Sequence, residues 1–350
     1  MQGQVEGTHL SVGALSERAR IVFRDIVESY LATGLPVGSR TLSRTGELGL
    51  SPASIRNVMQ DLEELGVLTA PHTSAGRIPT EAGLRLFVDG MMQLSEPQPD
   101  EVAAIEAEAT RRGGSLEDVL ARTTAALAGL AQCAAVVAAP KEEMRLKQIG
   151  FVPLGGGRAL AVLVGENGAV ENRLLELGTD VSPSLLERAS AYVSSRLSGL
   201  TLAEAGDRLR TEIASGRAAL DTLTAGLVEQ GLAAWSEDQA GPVLIVKGAA
   251  HLLDGADIEH ARALLEEVEE KEALVRVLDR ARTAESMRIF IGAETQLFAL
   301  SGSSVIAAPF RGGNGRVVGV IGVIGPTRLN YARVVPMVDM TASRLTRLMG

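Results

Sequence analysis

Apolar residues recur at three- and four-residue intervals through much of residues 15–91, which is the spacing of one face of an α-helix. The first such run predicts an amphipathic helix that Ser16 caps and that Gly34 and Pro36 end. Its apolar positions are Leu15, Ala19, Val22, Phe23, Ile26, Val27, Tyr30 and Leu31.

A second run, in residues 51–66, predicts another amphipathic helix with both ends marked. Ser51 is placed to accept backbone N–H bonds as the N-cap, Pro52 suits the first helical position, and Gly66 supplies a left-handed stop. The apolar stripe consists of Ile55, Val58, Met59, Leu62 and Leu65, while the polar positions Ser54, Arg56, Asn57, Gln60 and Asp61 lie elsewhere on the circumference. One face of this helix can therefore pack while the other reads a partner.

The segments around that helix complete a small domain. A short helix is predicted from Ser39, with a turn at residues 46–49, and Val67 and Leu68 would pair with Ile78 as two short strands, with Gly76 permitting a bend. Thr80 would cap a further helix. This order of elements predicts a winged helix-turn-helix over residues 14–93, preceded by a disordered extension over residues 1–13.

Charge alone does not assign a role to this domain. Residues 14–93 contain eight arginines and no lysines against nine acidic residues, a net charge of −1, which is not the basic footprint usual for DNA-binding domains. A winged helix can also serve as a protein-docking module. The placement of the charges favours DNA, because Arg40, Arg44, Arg56 and Arg77 lie on helix two, early in helix three and in the wing, whereas the acidic residues of helix three crowd its far end.

The rest of the chain alternates between strands and helices. Residues 95–99 read as a linker, residues 134–177 contain several strands, and helices follow from Ser182, with a charged helix over residues 257–279. Strands return over residues 288–324, with Asn314-Gly315 predicted as a hairpin turn, before a final helix. Gly155 to Gly157 is interpreted as a hairpin turn rather than a phosphate loop, because no Gly-Lys-Ser/Thr follows. Strands before and after helices predict one α+β domain with another module inserted into it.

Composition narrows the function classes. Aromatic residues make up 3% of the chain, which argues against the exposed stacking platforms of RNA- and single-strand-binding proteins. Cys133 is the one cysteine, interpreted as a buried core thiol in a reducing compartment. No signal peptide and no apolar run of about 18 residues is found, so we expect a cytoplasmic protein.

Catalysis has little support in the sequence. The four histidines are scattered without metal-ligand spacing, and no nucleophile elbow, phosphate loop or dinucleotide fingerprint occurs. The glutamates between residues 266 and 272 are interpreted as the solvated face of a helix rather than as a metal site. We therefore expect no enzymatic activity, no metal and no cofactor.

Several stretches resemble the heat-inducible transcription repressor family, HrcA. The resemblance is carried by residues 37–42, 54–57, 62–66 and 71–80, and by residues 319–331 near the other end of the chain. It implies an α+β multidomain protein, with a GAF-like domain over residues 100–180 and 280–350 that is interrupted by an inserted dimerisation domain over residues 181–279. It also implies a homodimer that represses chaperone operons from an inverted-repeat operator, with the chaperonin GroEL as the partner that keeps the repressor active.

For DNA contacts, the sequence predicts Ser54, Arg56 and Asn57 at base edges. His72 would approach a phosphate, and contacts to the backbone or minor groove are predicted for Arg40, Thr41, Ser51, Ser74 and Arg77. Two alternatives stay open at this point. One is a regulator gated by a small molecule in the GAF-like domain, and the other, less supported, is an enzyme that uses the winged helix as a scaffold.

Overall fold

The computed structural model describes most of the chain. The described residues are 11–45, 49–72, 76–111, 115–139, 145–166, 168, 170–177, 181–201, 204–205, 207–208, 211–212, 242–253, 262, 265–266, 271–294 and 302–349. The chain folds into two compact units. One comprises Met1–Arg112, Asp118–Ala139 and Leu244–Gly350, and the other comprises Gly113–Glu117 and Pro140–Val243.

The first unit begins with a module of short helices and one small sheet, the N-terminal module (residues 14–93). Its elements are α1 (Glu17–Thr33), α2 (Ser39–Thr45), α3 (Pro52–Glu64), β1 (Leu68–Thr69), β2 (Ile78–Pro79) and α4 (Glu81–Gly90). The predicted caps are confirmed: the Ser16 hydroxyl accepts a hydrogen bond from Ala19 N at 3.2 Å, and Gly34 ends α1 with a φ of 70°. Gly66 follows α3 with a φ of 75°.

The apolar stripes of α1 and α3 meet in one core. The side chains of Phe23, Ile26, Val27 and Leu62 are fully buried. The predicted disordered extension, residues 1–13, lies mostly outside the described residues. Its last residues depart from that prediction, because Val12–Ala14 form a turn of 3₁₀ helix and the Val12 side chain packs closely against Gly90 of α4.

A five-stranded sheet, the core sheet, forms the centre of the first unit. Its strands lie in the order β7-β3-β10-β9-β8. The strand bounds are Ala134–Ala139 for β3, Val243–Lys247 for β7, Arg288–Ile291 for β8, Ser303–Arg311 for β9 and Val317–Pro326 for β10. The predicted turn at Asn314-Gly315 joins β9 to β10, and Gly315 takes a φ of 76°. Since β3 and β7 are neighbours, the chain leaves this sheet after residue 139 and returns beside the same strand.

Helices cover the core sheet. The apolar stripe of α8 (Lys271–Thr283) packs on alternate residues of the strands, with Leu274 and Val277 buried against Val305 and Val320. The other helices of this part are α5 (Pro99–Thr110), α6 (Leu116–Ala131) and α9 (Tyr331–Met349). Helix α9 packs against β9 and β10, where the Tyr331 hydroxyl bonds to the Ser304 hydroxyl at 2.7 Å. Among the described helices, none is long and apolar enough to cross a membrane.

The second unit contains a separate three-stranded antiparallel sheet, in the order β4-β5-β6. Its strands are β4 (Leu146–Gly155), β5 (Arg158–Gly165) and β6 (Val170–Glu176), and its helix α7 (Pro183–Leu197) packs on one face. Gly156 and Gly157 form the hairpin turn with φ values of 60° and 69°, which confirms a turn rather than a phosphate loop. The buried side of the sheet is formed by residues such as Ile149, Phe151 and Leu163.

The structure places the insertion differently from the sequence analysis. Strands β4 to β6 were assigned to the GAF-like domain over residues 100–180, but they pair with one another and pack on α7, because short turns join them into one meander. Strand β7 and helix α8 were assigned to residues 181–279, but both belong to the core sheet and its helical layer. The inserted segment therefore runs from about residue 140 to 243 rather than from 181 to 279.

Candidate nucleic-acid interface

The N-terminal end of helix α3 is exposed, and side-chain hydrogen bonds fix the position at which the helix begins. The Ser51 hydroxyl accepts a hydrogen bond from Ser54 N at 3.2 Å and donates one to the Ser54 hydroxyl at 3.0 Å. Pro52 occupies the first turn, as predicted. Before the cap, the Ser43 hydroxyl donates to Leu50 O at 3.0 Å, which ties α2 to the turn that leads into α3. The start of α3 is thus held by side chains on both sides of that turn.

The two faces of α3 separate as the periodicity predicts. Ile55, Val58, Met59 and Leu62 are buried in the core of the N-terminal module. Arg56 and Asn57 are exposed, and Ser54 is half-buried. Two of the three residues predicted to reach base edges therefore project freely into solvent from the first turns of the helix.

Three arginines give this surface its positive charge. Arg40 and Arg44, one turn apart on α2, and Arg56 on α3 are all exposed. In the part of the chain that the structure describes, none of the three forms an ion pair. Thr41 is exposed beside Arg40. These exposed guanidinium groups place positive charge on this surface, although the net charge of the module is −1.

Arg77 differs from the other arginines, because an acidic residue of α3 already binds it. Its Nε donates to Glu63 Oε2 at 2.9 Å, and its Nη2 lies 2.7 Å from the same oxygen. The two side chains are 24% and 35% exposed. The sequence predicts that Arg77 contacts the DNA backbone or minor groove. In the structure its guanidinium connects β2 to the C-terminal half of α3.

The backbone at Arg77 is held as firmly as its side chain. Its N–H and C=O exchange hydrogen bonds with Val37, both at 2.9 Å. Gly76 lies so close to the Val37 carbonyl that a Cβ atom would overlap it. Gly76 was predicted to permit a bend; its structural role is this close approach between two backbones. The loop-side end of β2 is therefore anchored to the segment before α2.

The remaining predicted contacts fall in the hairpin itself. His72 is exposed. Ser74 lies outside the described residues. The pairing of Arg77 with Glu63 could not be predicted from the sequence, because the two residues are 14 positions apart and no local spacing rule joins a helix to a hairpin.

We predict that Arg77 and Glu63 act as a pair in DNA binding. Arg77→Ala and Glu63→Ala should each weaken binding by about 0.5–1 kcal/mol, because either change frees the hairpin from α3. The double variant should bind no more weakly than either single variant, as measured by fluorescence anisotropy over a range of salt concentrations. If Arg77 contacted a phosphate instead, Arg77→Ala would lower the salt slope by about 0.9 and Glu63→Ala would strengthen binding.

No group of three or more His, Cys, Asp or Glu side chains among the described residues is arranged to hold a metal ion. Cys133 is buried, and this burial raises the pKa of its thiol to about 12. A thiol with so high a pKa stays protonated and unreactive near neutral pH, which agrees with its interpretation as a core residue.

Comparisons with known proteins point to one family. A family model described as "HrcA protein C terminal domain" matches residues 117–335. The heat-inducible transcription repressor HrcA of Sphingopyxis alaskensis is 58% identical over 338 residues, which cover 95% of this chain and 97% of that protein. The protein of the same name from Novosphingobium aromaticivorans is 58% identical over 340 residues, 96% of each chain.

The comparison extends to solved structures. A crystal structure described as that of a hypothetical protein aligns with 97% of this chain and 99% of its own chain, with a TM-score of 0.59 and 22% identity. At that level of identity the likeness concerns the fold alone. The arrangement of the mixed α/β chain described above thus occurs in another solved protein.

Proposed function

The chain belongs to the HrcA family of heat-inducible transcription repressors, and on that premise we propose that it binds an inverted-repeat operator as a dimer, through a winged helix-turn-helix formed by residues 14–93. The protein is a transcriptional repressor of heat-shock genes, and repressors are not a class of enzyme. The observation that carries the proposal is the exposed start of α3, where Arg56 and Asn57 project into solvent, together with the exposed Arg40 and Arg44 of α2, which form no ion pair among the described residues. Helix-turn-helix proteins use the corresponding end of their second helix in the major groove.

The roles of single residues follow from this arrangement. Ser54, Arg56 and Asn57 would read base edges, while Arg40, Thr41 and Ser51 would contact the phosphate backbone. The β1–β2 hairpin would be the wing, with His72 and Ser74 near the DNA. Arg77 would hold the wing in place through Glu63. Binding should depend more on base contacts and on dimerisation than on nonspecific attraction, because the net charge of the module is −1.

The inserted segment is the part we propose for dimerisation, within a GAF-like domain formed by the core sheet and its helices. The face of the β4-β5-β6 sheet that turns away from α7 carries exposed apolar side chains, with Val152 46%, Val170 58% and Leu174 52% exposed. Leu160 of β5 lies directly between Val152 and Leu174 in the register of the sheet. A second copy of the chain would cover this apolar face.

Regulation by heat would act on the stability of this dimer or on its partner. Family membership supports the chaperonin GroEL as that partner, which would keep the repressor active until unfolded proteins occupy it during stress. Loss of free chaperonin or heating would then release the operator. A gel shift on the chain's own upstream region, with and without chaperonin, tests this part of the proposal.

We predict that the full-length protein selects a palindrome from a pool of random DNA duplexes. The two half-sites should lie one helical turn, about 10 base pairs, or a multiple of it apart, because the symmetry of a dimer is repeated in its operator. Sequencing of the bound duplexes, followed by footprinting, measures both features. Recovery of a single asymmetric half-site would contradict binding as a dimer, and recovery of no common sequence would contradict specific DNA binding.

A further inference from the structure

The last helix of the N-terminal module is joined to a distant part of the chain by a bidentate ion pair. Arg85 of α4 donates from Nε to Glu294 Oε1 at 2.8 Å, and its Nη2 binds Glu294 Oε2. The two residues are 209 positions apart, and their side chains are 24% and 38% exposed. A bidentate pair between arginine and a carboxylate fixes direction as well as distance.

Both partners of this pair are themselves held in place. Glu294 Oε2 also accepts a hydrogen bond from Ile291 N at 3.0 Å. Arg85 donates to Asp89 Oδ1 at 3.0 Å and to the carbonyl oxygen of Ile289 in β8. With these acceptors around it, the Arg85 guanidinium is already occupied within the chain. It is therefore not available to a DNA phosphate in this arrangement.

A second contact lies one turn earlier on the same helix. Glu81 Oε2 accepts a hydrogen bond from Ala293 N at 3.0 Å. The neighbouring Gly292 has a φ of 53°, and a Cβ atom there would overlap the Glu81 carboxylate. Glu81 and Arg85 thus face the same turn, residues 292–294. The Glu81 carboxylate accepts from a backbone N–H of this turn, and the Arg85 guanidinium binds the Glu294 carboxylate. We call the set Glu81, Arg85 and Glu294 the α4 clamp.

The chain that follows α4 is tied to α9 as well. Pro336 within α9 has no N–H, so the Ala332 carbonyl loses its usual helical donor. Ser95 N donates to that carbonyl at 2.9 Å. Farther on, the buried Glu101 binds Arg333 Nε at 3.1 Å, and the Arg333 guanidinium and the Gln98 N–H hold the pKa of its carboxyl below its usual range. The N-terminal module is therefore attached to the core by more than a flexible linker.

We propose that the α4 clamp is a positioning device for operator binding: it fixes the N-terminal module on the core so that both modules of a dimer present α3 at one spacing. This inference rests on the proposed function. When one module of a dimer has bound its half-site, the second binds intramolecularly, and its effective concentration depends on how well its orientation matches the second half-site. A clamped module is oriented in advance, whereas a module on a free linker loses that advantage but tolerates other spacings.

The test compares clamp variants on duplexes of different spacing. The variants are Arg85→Ala, Glu294→Ala, the double variant and Gly292→Ala, with Arg282→Ala as a control that removes an ion pair within α8. The probes are the inverted repeat that the wild-type protein selects, the same repeat with its spacer lengthened by about 5 and about 10 base pairs, and a single half-site. Affinity is measured by fluorescence anisotropy with the full-length protein.

We expect the clamp variants to bind the single half-site as wild type does, which also shows that their modules are folded. On the selected repeat they should bind roughly tenfold more weakly, and their preference for the original spacing should be flattened. The double variant should match Arg85→Ala, because the loss of Arg85 already removes its contact with Glu294. Gly292→Ala should have the same effect, because it displaces Glu81 without removing a charge, and the control should bind as wild type does.

Three results would overturn the inference. An equal loss on half-site and full repeat would show that Arg85 acts within the module itself. Additive losses in the double variant would show that Arg85 and Glu294 act separately. Wild-type affinity and spacing preference in every variant would show that the clamp does not orient the module. If the wild-type protein binds neither half-site nor repeat, the proposed function fails together with this inference, and that result differs from the other three.

Discussion

Arg56→Ala should weaken binding to the operator by about 1–3 kcal/mol, roughly 5- to 150-fold, and should reduce the discrimination between operator and scrambled DNA. Arg56 is exposed in the first turns of α3 and has no ion-pair partner among the residues that the structure describes. An unpaired guanidinium in that place can form two parallel hydrogen bonds to a guanine edge in the major groove. The measurement is the ratio of the two affinities at fixed salt concentration.

Arg40→Ala is the matched comparison for this variant. Arg40 is also exposed and unpaired within the described part of the chain, but it lies on α2, from which it would contact phosphates. Its loss should weaken binding to all duplexes alike and lower the salt slope by about 0.9. Sedimentation should show both variants in the same oligomeric state as wild type. If Arg56→Ala left the ratio of operator to scrambled affinity unchanged, base reading by Arg56 would be contradicted.

Gly83→Ala should destabilise the N-terminal module by about 1–3 kcal/mol and weaken operator binding through loss of folded protein. Gly83 lies in the first turn of α4, where its N–H donates to the capping Thr80 hydroxyl at 3.0 Å. A Cβ atom there would overlap the carbonyl oxygen of Val67, just before β1, and would come within 3.4 Å of the buried Phe23 ring. The carbonyl is backbone and cannot move aside cheaply. Urea unfolding, monitored by circular dichroism, measures the decrease in the free energy of unfolding.

Gly129→Ala is the control for this substitution. Gly129 is also a helical glycine, within α6, but a Cβ atom there meets nothing within 4 Å. Replacing it should stabilise the protein by roughly 0.5–1 kcal/mol, because alanine is the better helix former. The two variants share the same chemical change, but they should shift the free energy of unfolding in opposite directions. Equal stabilisation by both would show that α4 does not approach the Val67 carbonyl as closely as the structure has it.

Local features were the most predictable from the sequence. Helix caps such as Ser16 and Ser51 depend on hydrogen bonds between residues three positions apart, so a short stretch of sequence contains all the information. The same holds for the hairpin turns at Gly156–Gly157 and Asn314-Gly315, which need positive φ angles that glycine adopts without strain. The exposed side of α3 followed from its apolar stripe. The predicted base-reading residues Arg56 and Asn57 therefore lie where the periodicity places them.

The assignment of strands to sheets could not be read in the same way. An apolar strand such as β5 is equally compatible with either sheet, because alternation predicts a buried face but not the partner that buries it. Strands β4 to β6 instead pair among themselves against α7, and β7 joins β3 across the whole insertion. The predicted boundary near residue 180 followed a change from strands to helices, but the chain had already left the core sheet at residue 139.

By itself the sequence determined the elements of the N-terminal module, the exposed face of α3 and, through its motifs, the repressor family. These depend on short-range spacing or on resemblance, and both are present in the linear chain. Tertiary structure alone decided that Arg77 binds Glu63 and that Arg85 binds Glu294. The choice of a charged partner 14 or 209 residues away depends on how elements pack in space. No periodicity along the chain indicates which distant residue will be that partner.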